Sequence, residues 1–576
     1  MTKEQIGAIL EDIGKLLEVR GDNPFKIRAY TNAARTLETH AGDLPTEVEE
    51  LEAIPGIGKA IAEKIVELQS TGKLRFFEEL KEEFPPDLLE LFELQGLGGK
   101  RIKALYAELG IHSISKLERA CRDGSLAALA GFGAKSAENI LAAIEQRRKS
   151  AGQFLLWDAA ELAQVLLDHL LALPAAGLVE VAGSYRRRKP VVRDLDFIVS
   201  TRKPQEVIEA FLGHPALDRV LAKGETKASA ISHSGIQCDL RAVSSAEYPF
   251  ALNYFTGSKE HNIRMRSLAN NRGWTLNEYR LARLSESDAE PPPPISVEAD
   301  LYRALDLDLI PPELREDLGE FDAAAAHSLP KLLEWSNLRG AFHNHTTESD
   351  GRSTLEEMAA AAQALGLEYL GIADHSRSSV QANGLDETRL RQQITQIREL
   401  EAELGGELRL LAGTECDIRK DGSLDFPDDL LAELDYVVIS IHSAFSMGET
   451  AMTDRVIKAM HNPFAHILAH PTGRLLLGRE AYAINIPAVL EAAAATGTAI
   501  ELNANPRRLD LDWRWWPAAK KLGVRCTVNA DAHSADGLRH LFLGVDIARK
   551  GWLTRTDVLN TLPVAEALSA LHAKAG

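Results

Sequence analysis

The chain has 576 residues, of which 45% are hydrophobic and 26% charged, with a formal net charge of −19. That is an ordinary globular composition in a length too great for one core, so roughly three to five compact units are expected. Four cysteines (Cys121, Cys238, Cys416 and Cys526) lie far apart with no Cys-x-x-Cys spacing, which argues against a disulfide scaffold and a zinc ribbon. Met1 to Arg20 is charged and amphipathic with no signal-like core, and no apolar run approaches the ~18 residues a membrane span needs, so a cytoplasmic protein without a membrane partner is expected. The acidic balance does not exclude nucleic acid: five of the eight residues from Arg186 to Arg193 are basic, and binding follows local clusters rather than the net charge.

The first part reads as helices. Residues Glu4 to Val19 place Ile6, Ile9, Leu10, Ile13, Leu16 and Leu17 on one face, and Phe25 to Leu37 continue the pattern. A turn of the form hydrophobic-x-Gly-hydrophobic-Gly then occurs three times, each before a helix. It carries Gly56, Gly58 and Lys59, then Gly96, Gly98 and Lys100, then Gly131, Gly133 and Lys135, at intervals of 40 and 35 residues. Glycine lets the backbone turn tightly enough for amides to converge on an anion at a helix N-terminus, and the lysine adds charge. The three copies resemble the helix-hairpin-helix motif, which grips DNA phosphates without reading sequence.

From about residue 151 the texture changes to mixed helix and strand. A helix is expected over Phe154 to Leu171, a strand at Leu178 to Val181, a turn at Gly183-Ser184, and a second strand at Leu195 to Val199. Asp194 and Asp196, two apart, point to one face of that strand, a placement that suits hard divalent cations. The glycine turn and its arginines suit phosphate. Asp239, in a strand over Gly235 to Val243, is a candidate third carboxylate. These parts point to metal-assisted phosphoryl transfer.

Gly183-Ser184 with Arg186-Arg187, Asp194-Leu195-Asp196, Asp239-Leu240-Arg241, Tyr254-Phe255-Thr256-Gly257-Ser258 and Asn262 to Arg266 together resemble the family X DNA polymerases, whose members include the repair polymerases beta and lambda. The resemblance runs from the N-terminus to Asp317. It implies a lyase-like DNA-binding domain over 1–85, a fingers-like hairpin domain over 86–150, a nucleotidyltransferase palm over 151–245 and a thumb over 246–317. Asp194, Asp196 and Asp239 would bind two Mg²⁺ or Mn²⁺ ions. Gly183, Ser184 and Arg187 would hold the β,γ-phosphates of a dNTP, Tyr254, Phe255 and Gly257 would line its sugar, Asn262 would reach the new base, and Arg266 would contact the template. Lys64 occupies the place of the family's Schiff-base lysine, with Lys59 and Lys26 as candidate neighbours. The chain departs from the family at Arg188 and Arg193, where glycines are usual, and this bears on nucleotide-binding geometry.

Pro291 to Pro294 reads as an extended surface spacer, and residues 318–337 as a linker. From Leu338, strand and helix alternate as in an α/β barrel. Strands are expected near Ala341, Tyr369 to Ala373, Leu408 to Leu411, Tyr436 to Ile441, Ile467 to Ala469, Thr498 to Leu502 and Cys526 to Asn529. Nearly every one ends in a metal-binding residue: His343, His345, Asp350, His375, Glu415, His442, His470, Asp531 and His533. Barrel sites gather at strand C-termini, and mixed histidine and carboxylate donors favour Mn²⁺, Zn²⁺ or Fe over Mg²⁺ alone. This half, over 338–576, resembles the PHP (polymerase and histidinol phosphatase) domain through His343-x-His345-Thr346, Ala373-Asp374-His375, His470-Pro471-Thr472-Gly473-Arg474 and Asp531-Ala532-His533, which implies a three-metal phosphoesterase and a phosphate contact from Arg474.

The expected fold is therefore multidomain α+β and α/β: helical helix-hairpin-helix domains, a polymerase-beta-like nucleotidyltransferase palm and thumb, and a C-terminal PHP distorted (β/α) barrel. The order of parts resembles that of bacterial family X polymerases. It implies a monomeric, nucleoid-associated gap-filling DNA polymerase acting on primer-template DNA and dNTPs, with 3′→5′ exonuclease in the barrel. The alternative is mainly a 3′-end-processing nuclease or apurinic-site endonuclease with a weak palm.

Overall fold

A computed structural model of the chain describes residues 1, 3–39, 44–54, 56–94, 97–285 and 288–573. The chain divides into two compact units, Met1–Ala151 and Gly152–Gly576.

The first unit is helical. The helices Lys3–Arg20 and Pro24–Thr39 pack through Leu10, Ile13, Leu17, Ala33 and Leu37, all buried. At each hairpin the middle hydrophobic residue (Ile57, Leu97 or Phe132) is buried, and its amide bonds back to the carbonyl three residues earlier. Gly58, Gly98 and Gly133 are the caps of the helices Lys59–Thr71, Gly99–Leu109 and Ala134–Ser150. Gly56 and Gly131 adopt φ of +92° and +84°, the left-handed region that glycine enters without a Cβ penalty. Gly96 lies outside the described residues.

The second unit opens with a five-stranded sheet in the spatial order Ala176–Val181, Asp194–Thr201, Gln237–Val243, Lys227–Ser232, Leu217–Lys223. Its central pair, Asp194–Thr201 and Gln237–Val243, runs parallel, and the other neighbours are antiparallel. One expectation is corrected here. The helix read as starting at Phe154 begins at Leu156, because Phe154–Leu155 pairs as a short strand with Val191–Val192. That pairing pins the far end of the arginine-rich loop. The thumb closes over a core of Phe250, Met265, Leu301, Tyr302 and Leu314. Part of the stretch read as a linker joins that core: the helix Glu320–Ala325 buries Phe321 and Ala324 there, and Glu320 bonds the buried His261 at 2.9 Å.

Glu298 is one of the carboxylates that tie palm and thumb. Glu298 accepts two hydrogen bonds from Arg186 at 3.1 and 3.0 Å, and one from the fully buried Arg315 at 2.6 Å. Burial pushes Glu298 upward, but Arg315 and then Arg186 outweigh it and hold the group at about 2, against an ordinary value of 4.5. A depressed folded pKa contributes stability that is complete above the unfolded value and is lost as pH falls toward the folded one. Glu298→Gln is therefore expected to lower unfolding stability by about 3 kcal/mol near neutral pH, with the difference shrinking at about pH 3. Chaotrope unfolding of both proteins at the two pH values checks this, and a difference independent of pH contradicts it.

The C-terminal part is a barrel of parallel strands. Gly340–Ala341, Tyr369–Ile372 and Arg409–Ala412 form one sheet. Glu415–Asp417, Val438–Ser440, Ile467–Leu468, Ala499–Asn503 and Cys526–Asn529 form the other. The break at Gly413-Thr414 lets one strand pair first with Tyr369–Ile372 and then with Val438–Ser440, so Arg409–Asp417 serves as a single bent stave. Bridges His375↔Glu415 and Asn344↔Ala532 close the ring on its two sides, and all of these residues lie at the C-terminal mouth. Phe342, Tyr369, Leu411, Tyr436 and Ile467 fill the barrel and are fully buried.

Candidate active sites

The palm site is built on the parallel strand pair. Asp196 stands directly beside Asp239 in register, and Asp194 precedes them on the same face. Gln237 donates to Asp239 at 2.9 Å, and Ser229 donates to its other oxygen. Burial, then Asp194 and Asp239, push Asp196 up to about 7. Asp194 is raised by burial and by Asp239, and the exposed Arg193 offsets this only in part. Three carboxylates gathered on a half-buried face, two of them raised by burial and by their neighbours, are a donor set lacking positive charge, and a divalent cation fits it.

Gly183 opens the helical turn Gly183–Arg186 at φ +62°, and a Cβ there would collide with the Asp196 carboxylate. A cavity of about 320 Å³ lies in front, lined by Gly183, Ser184, Arg187, Asp194, Asp196, Tyr254, Phe255, Gly257, Asn262 and Arg266. These are the positions the sequence had nominated, gathered in one place, together with Lys259, which it had not. Arg187 donates through Nε to Glu316 at 3.1 Å and through its terminal nitrogen to the carbonyl of Thr256. Asn262 donates to the carbonyl of Tyr254 at 2.7 Å, which fixes the aromatic wall. Tyr254 and Phe255 meet edge to face, and Arg241 lies 4.1 Å over the Phe255 ring.

The two unusual arginines part company. Arg188 adopts φ +54°, a left-handed backbone conformation that glycine enters more readily. Its side chain runs over the Tyr185 ring and pairs with Asp546 at 3.3 Å, in the barrel helix His540–Lys550. Arg193 stays exposed.

The barrel site gathers all nine nominated residues. They fall into four overlapping groups: His345, Asp350, His375 and His533; His343, His345 and Glu415; His343, His470 and Asp531; and His375, Glu415 and His442. Within each group the ligand atoms lie within 4.8 Å of one another. Nε2 of His343, both ring nitrogens of His345, Nδ1 of His375 and Oε2 of Glu415 are buried with no hydrogen-bond partner among the described residues. Such orphaned groups are costly unless something else satisfies them, and metal ions fit these donors. His470 and Asp531 adopt φ of +28° and +51°, each a cost of order 1–3 kcal/mol, at positions where the side chain points into the cluster.

A second layer, not read from the sequence, orients these candidate ligands. Glu501 accepts from His343 Nδ1 at 2.7 Å and from the amide of His470 at 2.9 Å. Asp417 bonds His442 Nδ1 at 2.9 Å, and Asn503 donates to Asp531 at 3.0 Å. Such partners fix the ring orientation of metal-binding histidines. A carboxylate inside the apolar run Ala499-Ile500-Glu501-Leu502 was the available signal. The expected phosphate contact from Arg474 is corrected: its guanidinium is tied to Asp512 at 2.5 Å and to the carbonyls of Arg508 and Leu509. Arg508 faces the cluster instead, with Nε 3.3 Å from Asp531.

In the first unit, Gly58, Gly98, Gly131 and Gly133 have open space where a Cβ would stand, and Lys59, Lys100 and Lys135 are exposed. Lys64 bonds the carbonyl of Ala60 at 3.0 Å and lies 5.4 Å from the Phe76 ring, which Lys26 also approaches, at 5.1 Å.

Comparison with known proteins finds four family models along the chain. Residues 1–74 match a helix-hairpin-helix domain, 88–146 a SAM-like helix-hairpin-helix tandem, 251–316 the DNA polymerase beta thumb, and 341–505 the PHP domain. The DNA polymerase/3′-5′ exonuclease PolX of Bacillus subtilis (strain 168) is 40% identical over 562 residues, 97% of each chain. The chain belongs to the PolX family. Two further relatives each cover less than half of the chain. DNA polymerase lambda of Rattus norvegicus is 26% identical over 47% of this chain and 48% of its own. A probable phosphatase of Thermoanaerobacter sp. (strain X514) is 29% identical over 38% of this chain and 89% of its own. As in PolX, a polymerase part and a PHP part share one chain, and among the described residues no helix is long and apolar enough to cross a membrane.

Proposed function

We propose that the palm carries out template-directed nucleotidyl transfer into DNA gaps and that the barrel removes nucleotides from 3′ ends. The observation that carries the reading is the register of Asp196 beside Asp239, with Asp194 on the same face, below a cavity lined by Gly183, Arg187 and the Tyr254–Gly257 wall. Asp194, Asp196 and Asp239 hold two Mg²⁺ or Mn²⁺ ions, which when bound lower the barrier to attack by the primer 3′-hydroxyl and neutralise charge on the transferred phosphoryl. Gly183, Ser184 and Arg187 bind the β,γ-phosphates, because a turn bordering the cavity and a guanidinium offer directed donors. Tyr254, Phe255 and Gly257 hold the sugar, and Arg266 meets the template strand.

In the barrel, His343, His345, Asp350, His375, Glu415, His442, His470, Asp531 and His533 would hold three ions, Mn²⁺, Zn²⁺ or Fe, which when bound would activate water and polarise the phosphodiester. Arg508 holds the scissile phosphate. Lys64 is the candidate for removing a 5′-deoxyribose phosphate, with Lys26 as its cationic neighbour across Phe76. The protein acts as a monomer in the cytoplasm, associated with the nucleoid. With a gapped primer-template and Mn²⁺, it is expected to extend the primer when dNTPs are present and to shorten it when they are absent. Failure to extend overturns the palm reading, and failure to shorten overturns the barrel reading.

The hairpins supply affinity without sequence preference. Alanine at Lys59, Lys100 and Lys135 together is expected to flatten the salt dependence of duplex binding by about 2–3 units of log–log slope, since each released phosphate contact removes ~0.9. Fluorescence anisotropy across a salt series reads this directly, and an unchanged slope removes the lysines from the DNA interface.

A further inference from the structure

The polymerase pocket is braced from behind by the exonuclease half. Lys550, the last residue of the barrel helix His540–Lys550, is fully buried. Its ammonium donates to Oε1 of Glu316 at 2.7 Å, to the carbonyl of Arg187 at 2.9 Å and to the carbonyl of Glu313 at 3.2 Å. The same Oε1 of Glu316 receives Arg187 Nε at 3.1 Å, and Lys189 approaches the other oxygen at 3.5 Å. Trp513, also of the barrel, lies beneath both ammoniums, 4.5 Å from Lys550 and 5.5 Å from Lys189. The neighbouring pairs Arg188–Asp546 at 3.3 Å and Arg549–Glu313 at 2.7 Å fasten the same two surfaces. Arg187 is thus gripped at its backbone carbonyl and at Nε, while NH1 is held by the carbonyl of Thr256. Among the described residues its remaining terminal nitrogen has no partner, and the residue lines the cavity.

We propose that Lys550 is a positioning residue for nucleotide addition, acting through Glu316 to hold the Arg187 guanidinium against the triphosphate of the incoming nucleotide. This rests on the reading of Arg187 as a phosphate ligand. Packing alone does not call for an ammonium at a fully buried place, because an apolar side chain of similar length fills the space without the cost of desolvating a charge. What an apolar residue cannot do is neutralise Glu316 while bonding the Arg187 carbonyl. Burial lowers Lys550 to about 8 against the pull of Glu316, which leaves it charged near neutral pH. Without it, Glu316 is shared only between Arg187 and Lys189, and the loop from Arg186 to Lys189 loses its anchor.

The test is single-nucleotide insertion into a gapped primer-template by the full-length protein, with Lys550→Met, Glu316→Gln, the two combined, and Arg187→Ala as reference. Lys550→Met and Glu316→Gln are each expected to raise the dNTP KM about 10-fold with a smaller change in kcat, and the double variant to do no worse than the more affected single one. DNA affinity and 3′-end degradation stay at wild-type levels. If Arg187→Ala raises KM but a folded Lys550→Met does not, the positioning role is wrong. If Arg187→Ala itself leaves KM unchanged, the phosphate-ligand reading falls and this inference with it. A KM rise accompanied by an equal loss of degradation marks general damage and also overturns it. Should Lys550→Met not fold, Glu316→Gln decides by the same criteria.

Discussion

Replacing Asp194 and Asp196 together by alanine is expected to cut primer extension by about 10⁴-fold while 3′-end degradation continues at the wild-type rate. The size follows from what these groups do. Two cations shared by three carboxylates would contribute several kcal/mol to the transition state, and removing two of the three donors would leave Asp239 unable to hold either ion alone. The selectivity follows from geometry: all three carboxylates belong to the palm sheet, and none of the barrel's ligand groups includes them. The double alanine variant also removes the buried carboxyl that burial, then Asp194 and Asp239, lift to about 7, so the palm should be at least as stable as in wild type. Loss of extension with an unchanged or raised melting temperature therefore separates lost chemistry from lost folding. Gly183→Ala is a second route to the same end, since its Cβ would meet Asp196 and its φ is +62°. If the double variant extends as well as wild type, the palm carboxylates are not the polymerase site.

How much of this was legible beforehand depended on the kind of signal. The candidate barrel ligands were readable one by one, because a parallel strand's C-terminal residue is set by local sequence and the topology brings such ends together. Asp194 and Asp196 were readable from a spacing of two on a strand, and the hairpins from their repetition. Contacts that cross between distant parts were not readable. Nothing in the sequence around Lys550 says that its ammonium ends on the carbonyl of Arg187, 363 residues away. Arg474 was nominated because it follows a histidine motif, yet Asp512 captures it, and Arg508 takes the position facing the cluster. The short strand at Phe154–Leu155 failed for a similar reason: its apolar residues suit a helix start, and only the partner Val191–Val192 makes it a strand. Arg188 is the instructive middle case. Its departure from glycine was visible, but the outcome, a left-handed backbone with its side chain sent to Asp546, depended on a partner from the other half of the chain.

The converse experiment removes His343 and His345. Both are fully buried, and His343 joins the groups with Glu415 and with Asp531, while His345 joins those with Asp350 and with Glu415. Alanine at both disturbs three of the four ligand groups at once, so degradation from the 3′ end is expected to fall by about 10³-fold or more while gap filling persists. Metal content, read by elemental analysis of the purified protein, should fall in parallel. Chelation of the wild type should reproduce the loss and also lower its melting temperature, because ions that bind only the folded state stabilise it by mass action and their removal leaves Glu415 and Asp531 buried without cations. Arg508→Ala supplies the control that separates metal binding from substrate binding: degradation slows with metal content intact, since Arg508 borders the cluster without offering a ligand atom. Arg474→Ala, by contrast, releases Asp512 and the Arg508–Leu509 carbonyls and should lower stability before it touches the chemistry. A chelated protein that keeps both its melting temperature and its nuclease activity would show that these nine residues hold one another rather than metal.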